Sequence, residues 1–404
     1  MMRKWSTLVL LAAIVTPLLA VKPPVTQMVT VEQLEQALAT AHGVRDGNLA
    51  KQISNMKLTQ RLSDARLARL ENELPGSQTR LALVALADES QFLDLPAAEI
   101  PSTAVPGAAG QAELLARTMD YVNKTVAKLP NFYATRTTTR FVGTPTVIAY
   151  DLHERLFPDV AYQRLSAIGT TRVTLLYRDG QEVYADKKGV NSECYSGGAP
   201  GDGEFGEILV SLPEIASHGK VVWSHWEQGA GGLLAVFRYA GTLDYKWPRI
   251  CPNEVDLPRM PVEFQGEIAV NPADGSILRL TRTDRQMEDL FGWGLRSFEA
   301  DIMVEYGPVE IGGMTYICPV RSVVIGLGPH FYAPRSWRDS FNRSYGLSED
   351  PINVNLENAT FAQYHVFRAE MRFLPGDTPV PEATPPASTP ATPAPHAPGT
   401  SPQR

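Results

Sequence analysis

Residues 264–282, FQGEIAVNPADGSILRLTR, decide how the rest of the chain is read. Phe264, Gly266, Ile268 and Val270 fall on one side of an extended chain and Gln265 and Glu267 on the other, the period of two of a half-buried strand. Leu278 and Leu280 resume the pattern after Asn271, Pro272, Ala273, Asp274 and Gly275. In such a turn the proline presets φ, the Asx side chains bond nearby backbone, and the glycine is free to take positive φ. The stretch is therefore a β-hairpin. A lone hairpin is marginal in water, so its strands must belong to a larger sheet with one face covered.

Strand-like runs lie on both sides of it, at 131–142, 164–186, 221–227, 233–239, 244–251, 298–306, 314–325 and 359–373. Asp179-Gly180 turns the second run, and the glycines at 229, 231 and 232 join the third to the fourth. About ten strands joined mostly by short turns predict an α+β fold built on one curled antiparallel sheet, an incomplete barrel, over alternating βαβ units. A short helix interrupted at Pro213 is expected over 204–217. A longer one over 111–129 carries Leu115, Met119, Val122, Val126 and Leu129 as one stripe and stops at Pro130. So clean a stripe needs an apolar surface, which the sheet supplies.

Five segments follow. Residues 1–20 have a basic start, an apolar run over 8–15 and a small residue at Ala20, the anatomy of a cleaved secretory signal. An uncleaved anchor is the alternative, but the run falls short of the ~20 residues a spanning helix needs. Residues 21–93 read as a small all-helical unit of four short helices, with Asp46 capping the second and Ser77 the fourth. Its mixed charges form either a solvated face or a partner-docking surface. Residues 94–110 are a Pro, Ala and Gly-rich linker, 111–374 the sheet domain with its packed helix, and 375–404 a Pro, Thr and Ala-rich tail expected to be disordered.

The net charge of −7 moves to −9 when Arg3 and Lys4 leave with the signal, which argues against nucleic acid as a partner. The chain is expected to be exported, periplasmic or secreted, with no transmembrane span after signal removal. Of the three cysteines, Cys251 and Cys318 sit at strand-like positions and are expected to pair, leaving Cys194 in a loop.

No nucleophile elbow, H-E-x-x-H pair or phosphate-binding G-x-x-x-x-G-K is present, and no G-x-G-x-x-G set between a strand and a helix was read. No enzyme activity, cofactor or metal is expected. His218 and His225 read as half-buried histidines of an aromatic strand, with a ligand role as the alternative. Two features point to binding. Trp223, Trp226, Phe237 and Tyr239 either pack a core or line an apolar cavity on the sheet. The segment 327–353 carries Phe331, Tyr332, Arg335, Trp337 and Arg338, residue types that dominate binding hot spots, and forms either a lid or an Ω-like loop packed on itself.

The segments GEIAVNPADGSILRLTRT, 266–283, and DIMVEYGPVEIGGMTYICPVRSVV, 301–324, together with the order helix, long strand, successive hairpins and terminal strand, resemble the LolA-like group of periplasmic lipoprotein and lipid carriers. The chain is also similar to exported bacterial proteins with the same helical front end. The resemblance covers 111–373 at most and implies an incompletely closed barrel with a helical lid over a cavity for acyl chains. The functional expectation is a non-enzymatic exported protein holding an apolar ligand, a lipid or an acylated partner, in the curled sheet. The alternative is an envelope scaffold that engages a protein partner through its helical front end and has a solid sheet core.

Overall fold

The computed structural model describes residues 26–74, 76–125, 128–143, 164–184, 194–195, 207–246, 249–250, 259–286, 298–329 and 352–367. In chain order these form β1 Gln27–Val29, α1 Val31–Ala39, α2 Asp46–Ile53, β2 Met56–Leu58, α3 Asp64–Glu73, α4 Ser77–Glu89, α5 Ala108–Thr125, β3 Phe132–Gly143, β4 Leu165–Arg178, β5 Gln181–Tyr184, β6 Cys194–Tyr195 and α6 Glu207–His218. Then come β7 Lys220–Gly229, β8 Gly232–Lys246, β9 Arg249–Ile250, β10 Arg259–Val270, β11 Ile277–Gln286, β12 Phe298–Ile311, β13 Met314–Pro329 and β14 Ile352–Val366. The signal, the tail and the residues expected to form a lid lie outside the described residues.

The opening hairpin is β10 and β11, at the heart of a ten-stranded sheet ordered β5-β4-β3-β14-β13-β12-β11-β10-β8-β7. All its pairings are antiparallel, and the sheet is curled and unclosed. In the turn Asn271 Oδ1 accepts from Ala273 N at 3.0 Å, Asp274 Oδ1 accepts from Ser276 N at 2.9 Å, and Gly275 has φ +76°. Phe264, Ile268 and Val270 are buried together, as the alternation requires. Leu278 departs from it. The register shifts beside Ala269/Val270, so Ile277 and Leu280 enter one face while Leu278 packs on the other against Leu234, Val236 and Ala269. One extra residue at a bulge reverses the alternation beyond it.

One face of the sheet is filled. Ala235, Phe237 and Tyr239 of β8, Phe264 and Ile268 of β10, Leu280 of β11 and Ile302 and Val304 of β12 share a core with Val122 of α5 and Ile208, Leu209, Leu212 and Ile215 of α6. Of the expected α5 stripe, Met119 and Val122 pack here with Leu114, whereas the helix ends at Thr125, Leu129 beyond it packs with Phe132 and Tyr177, and Val126 lies outside the described residues. Helix α6 runs through Pro213 instead of stopping there. Helix α5 also meets the hairpin turn: Arg117 Nη1 donates to the Pro272 carbonyl, and a Cβ on Gly275 would lie 2.6 Å from the Arg117 carbonyl oxygen.

The opposite face carries the N-terminal layer. That layer has its own core, including Leu34, Leu49, Ile53, Leu67, Leu70, Leu83 and Leu86, yet it joins the sheet in one compact unit, Met1–Phe367. It is not all helical, since β1 and β2 pair in parallel with Gln27 opposite Met56 and Val29 opposite Leu58. Three-residue strands are too short to show a period. Its capping is also non-local. Arg45, not Asp46, is the N-cap of α2, and Gly76, not Ser77, is that of α4. Asp46 reaches across to accept from Thr79 N at 2.9 Å and Gln78 N at 3.2 Å, satisfying the free amides of α4. Replacing Asp46 by Ala is expected to lower the midpoint of a denaturation titration, because two α4 amides lose their acceptor.

Gly266 marks the tightest point of the sheet, because a Cβ there would sit 1.9 Å from the Thr281 carbonyl oxygen and 2.9 Å from the Tyr239 hydroxyl. That hydroxyl donates to the same carbonyl at 2.7 Å. Gly266→Ala should therefore destabilise by about 3 kcal/mol or more, an overpacking cost against backbone that cannot move aside. Gly231→Ala, with nothing within 4 Å, is the control and should stay within about 1 kcal/mol by the same titration.

Candidate functional site

The polar chemistry of the molecule gathers at the seam between the N-terminal layer and the sheet. Strand alternation puts Glu227 of β7, Arg238 of β8, Glu267 of β10 and Arg279 of β11 on the face opposite α5 and α6, where the layer brings Arg61 and Asp94. Glu227 Oε2 accepts from Arg279 Nη2 at 2.7 Å and from Arg61 Nη2 at 2.5 Å. Arg279 also lies 3.6 Å from Glu267, which accepts from Arg238 Nε at 3.0 Å, and Arg238 pairs in turn with Asp94. His225 Nε2 is 3.6 Å from the same Glu227 oxygen.

Arg61 and Arg279 are only 3% and 7% exposed, so these charges are held nearly dry. Burial acts to raise the Glu227 carboxyl, but Arg279, His225 and Arg61 together outweigh it and hold the group well below the usual carboxylate range. For Arg61 burial dominates, and with the neighbouring Arg279 charge it lowers the guanidinium from its ordinary value against the pull of Glu227. Arg61 Nη1 and Arg279 Nε and Nη1 are buried with no hydrogen-bond partner among the described residues. The pairs therefore use only part of their donor capacity.

Beside this cluster the seam opens into a groove of about 400 Å³. Gln91, Phe92, Leu93 and Asp94 form its wall, while Lys220, Val222, Arg238, Ala240, Gln265 and Thr283 line its floor. A second hollow of about 350 Å³ shares Ala240, Gln265 and Thr283 and continues past Gly241 to Glu263 and Phe264. Lys220 and Val222 lie on β7, at the edge of the sheet. The surface is mixed, with exposed amide, hydroxyl and ammonium groups around short apolar steps. Asp94, Glu267 and Lys220 add charge to it, and it offers recognition contacts.

The aromatic residues singled out in the sequence come together on the other side of the sheet. Trp223 packs edge-on to Trp226 with ring centroids 4.9 Å apart and to Phe237 at 5.5 Å, and Tyr239 lies 6.1 Å from Phe264. Phe237 and Tyr239 belong to the core beneath α5 and α6, with both tryptophans packed against it. Trp226 Nε1 donates to the Ala104 carbonyl at 2.9 Å, which ties the 94–107 connection to the edge strand. His225 faces the seam, with its ring Nδ1 2.9 Å from Ser224 Oγ. Cys318 is a buried free thiol, pushed up to about 12 by burial, and Cys251, its expected partner, lies outside the described residues. So do Phe331, Tyr332, Arg335, Trp337 and Arg338.

A G-x-G-x-x-G spacing stands at Gly201, Gly203 and Gly206, directly ahead of α6. The glycines are outside the described residues, and α6 leads into β7, which pairs antiparallel with β8. A dinucleotide cradle needs the parallel βαβ setting instead. The seam itself is not legible in the sequence. Its members lie far apart in sequence, Arg61 being separated from Glu227 by 166 positions, and each resembles an ordinary surface charge.

Removing the negative partner should expose what the seam costs. Glu227→Gln leaves two buried guanidiniums short of a counter-charge and is expected to destabilise by about 3–5 kcal/mol. Because the folded-state carboxyl is depressed, the wild-type advantage is present above about pH 5 and is lost as the pH falls below about 4. Denaturation curves of the two proteins should therefore converge on acidification.

Among the described residues no helix is long and apolar enough to cross a membrane. No family model matches the chain, and no curated protein matches it. Among solved structures, a chain from the complex of Pseudomonas aeruginosa MucA/MucB is similar over 63% of this chain and 94% of that chain, at 9% identity and a TM-score of 0.21. The LolA-like resemblance rests on strand order and the two quoted segments alone.

Proposed function

We propose that this is an exported, non-enzymatic interaction protein of the cell envelope, whose N-terminal layer and sheet act as one body and whose binding surface is the groove along Gln91–Asp94 and strands β7, β8 and β10. The observation that carries this reading is the filling of the helix face. Trp223, Trp226, Phe237 and Tyr239, the residues best suited to line an apolar cavity, are packed against one another and under α5 and α6. Two hollows among the described residues lie on the opposite face, and their lining is polar as well as apolar. Amide, hydroxyl and ammonium groups around Phe92, Leu93 and Val222 suit a peptide segment better than an acyl chain, which has no use for them. Export follows from the signal-like residues 1–20. A lipid or acylated partner held inside the sheet has less support, because its proposed lining is occupied by core.

Two measurements decide between these readings. Native mass spectrometry of protein purified from its own host should give the unliganded mass and no phospholipid uptake on titration; a stoichiometric lipid adduct would overturn the interaction reading. In the same host, Lys220→Glu combined with Val222→Asp should cut the yield of envelope cross-links at least about tenfold while leaving the melting temperature within a few degrees. Unchanged cross-linking would remove the groove from consideration.

A further inference from the structure

We propose that the N-terminal layer is fastened to the sheet by a proton-linked latch, in which Asp64 of α3, Asp88 of α4 and Glu305 of β12 share the Arg321 guanidinium of β13, so that the α3–α4 edge is clamped at mildly acidic pH and loosens as the pH rises past neutrality.

The geometry is a mismatch of charge across an interface. Arg321 Nη1 lies 3.2 Å from Asp64 Oδ1 and 3.0 Å from Glu305 Oε1, while Nη2 lies 2.6 Å from Asp88 Oδ1. Asn358 Nδ2 of β14 donates to the other Asp88 oxygen at 2.8 Å. Asp88 has no exposed side-chain surface, so water contributes nothing to its solvation. With three ionised carboxylates around one guanidinium the cluster carries an excess of two negative charges. The next cation on this face, Arg279, is engaged with Glu227 and Glu267. Asp64 is largely exposed and keeps its hydration, so taking up a proton at one of the two enclosed carboxylates, Asp88 or Glu305, is the direct way to relieve such an excess.

Glu305 is placed to take it. Burial raises its carboxyl to about 7, with the Asp64 charge and a hydrogen bond to Asp64 acting the same way and Arg321 and Arg279 opposing. A protonated Glu305 donates to Asp64, and the interface then holds together with one negative charge fewer. Burial also raises Asp88, against Arg321 and its hydrogen bonds and with Asp64 adding to the rise. Glu89, the next residue of α4, is raised to about 7 by burial and by Asp88, with Lys57 opposing.

The sign follows from these directions. A carboxyl raised in the docked state binds its proton more tightly there than when released. Docking is therefore favoured below the ordinary carboxyl value and loses that advantage as the pH climbs through about 7. The other attachments do not share this dependence. Ala85 and Val84 pack on Phe141, Leu165, Val354 and Leu356, and Arg61 is held by a Glu227 that stays ionised throughout the range. The Arg61 end of the layer thus stays fixed while the Asp88 end responds.

Hydrogen exchange of the full chain at pH 5.5 and 8.0, corrected for the intrinsic chemical rate, tests the latch. The opening equilibria of α3 and α4 should rise on the order of tenfold at pH 8.0 while strands β10–β12 are unchanged. Glu305→Gln, the neutral isostere of the protonated acid, should shrink that difference below about threefold. Protection of α3 and α4 that ignores pH would overturn the proposal, and so would equal loosening of β10–β12, which would assign the effect to global stability. Should Glu305→Gln fail to fold, the wild-type comparison still decides, with Glu89→Gln expected to reduce the response in part.

Discussion

The Glu227 carboxylate, gripped by Arg61 from one layer and Arg279 from the other, is the constraint on which the arrangement of this molecule depends. Taking three such groups out of water is costly, and their attraction does little more than offset that cost, so the pair is a poor source of net stability. What it supplies is register. Neither guanidinium tolerates displacement, because moving the layer by one residue along the sheet would separate Arg61 from its partner while both remain dry. The apolar contact of Ala85 with Phe141 and Leu356 provides the attraction, and the ion pairs decide where it is made.

The two sides of the sheet are consequently different in kind. Strand alternation sends Phe237, Phe264, Ile268 and Leu280 to the side of α5 and α6 and Arg238, Glu267 and Arg279 to the other. On the first side the Tyr239 hydroxyl bonds the Thr281 carbonyl over the bare Cα of Gly266, and the strands are close-packed at that crossing. On the second side the layer cannot close tightly over charged side chains, and the groove beside Gln91 and Asp94 is what remains open. Ion pairing and the position of the groove thus have one cause.

What was legible in the sequence was local. The Asn271 and Gly275 turn and the Asp179-Gly180 turn depend on residues within a few positions and form as read, as does the Met119 and Val122 part of the α5 stripe. Leu278 was misplaced because a bulge changes parity without a residue type that announces it. Asp46 sits at the start of its own helix, yet it caps α4 some thirty residues on, since a free amide donates to any carboxylate that tertiary structure delivers. The aromatic set was recognised as one group, but alternation alone does not say whether a face is covered by helices or left hollow. The seam was invisible for a related reason: Arg61, Glu227, Arg279 and Arg321 look like solvated charges until two distant elements exclude the water around them.

The two edges of the sheet show how far this reasoning extends. An unpaired strand edge invites association, and proteins blunt it by covering or charging it. At β7 the 94–107 connection does the covering, anchored by Trp226 at Ala104 and by Asp94 at Arg238. The connection therefore acts as a strap as well as a linker, and the groove opens where the strap leaves the layer at Asp94. At the other end β5 pairs only with Leu175–Arg178 of β4, and residues 166–174 of β4 are exposed. Arg172 and Arg178 supply charge there, and Gly169, at φ +151°, sits beside the register shift where β4 pairs with Arg140 and Phe141 of β3. A strand broken by a bulge and carrying arginines is a poor template for another chain. The edge that is strapped is the one next to the groove, so the contacts that tie the connection to the sheet also bound that hollow.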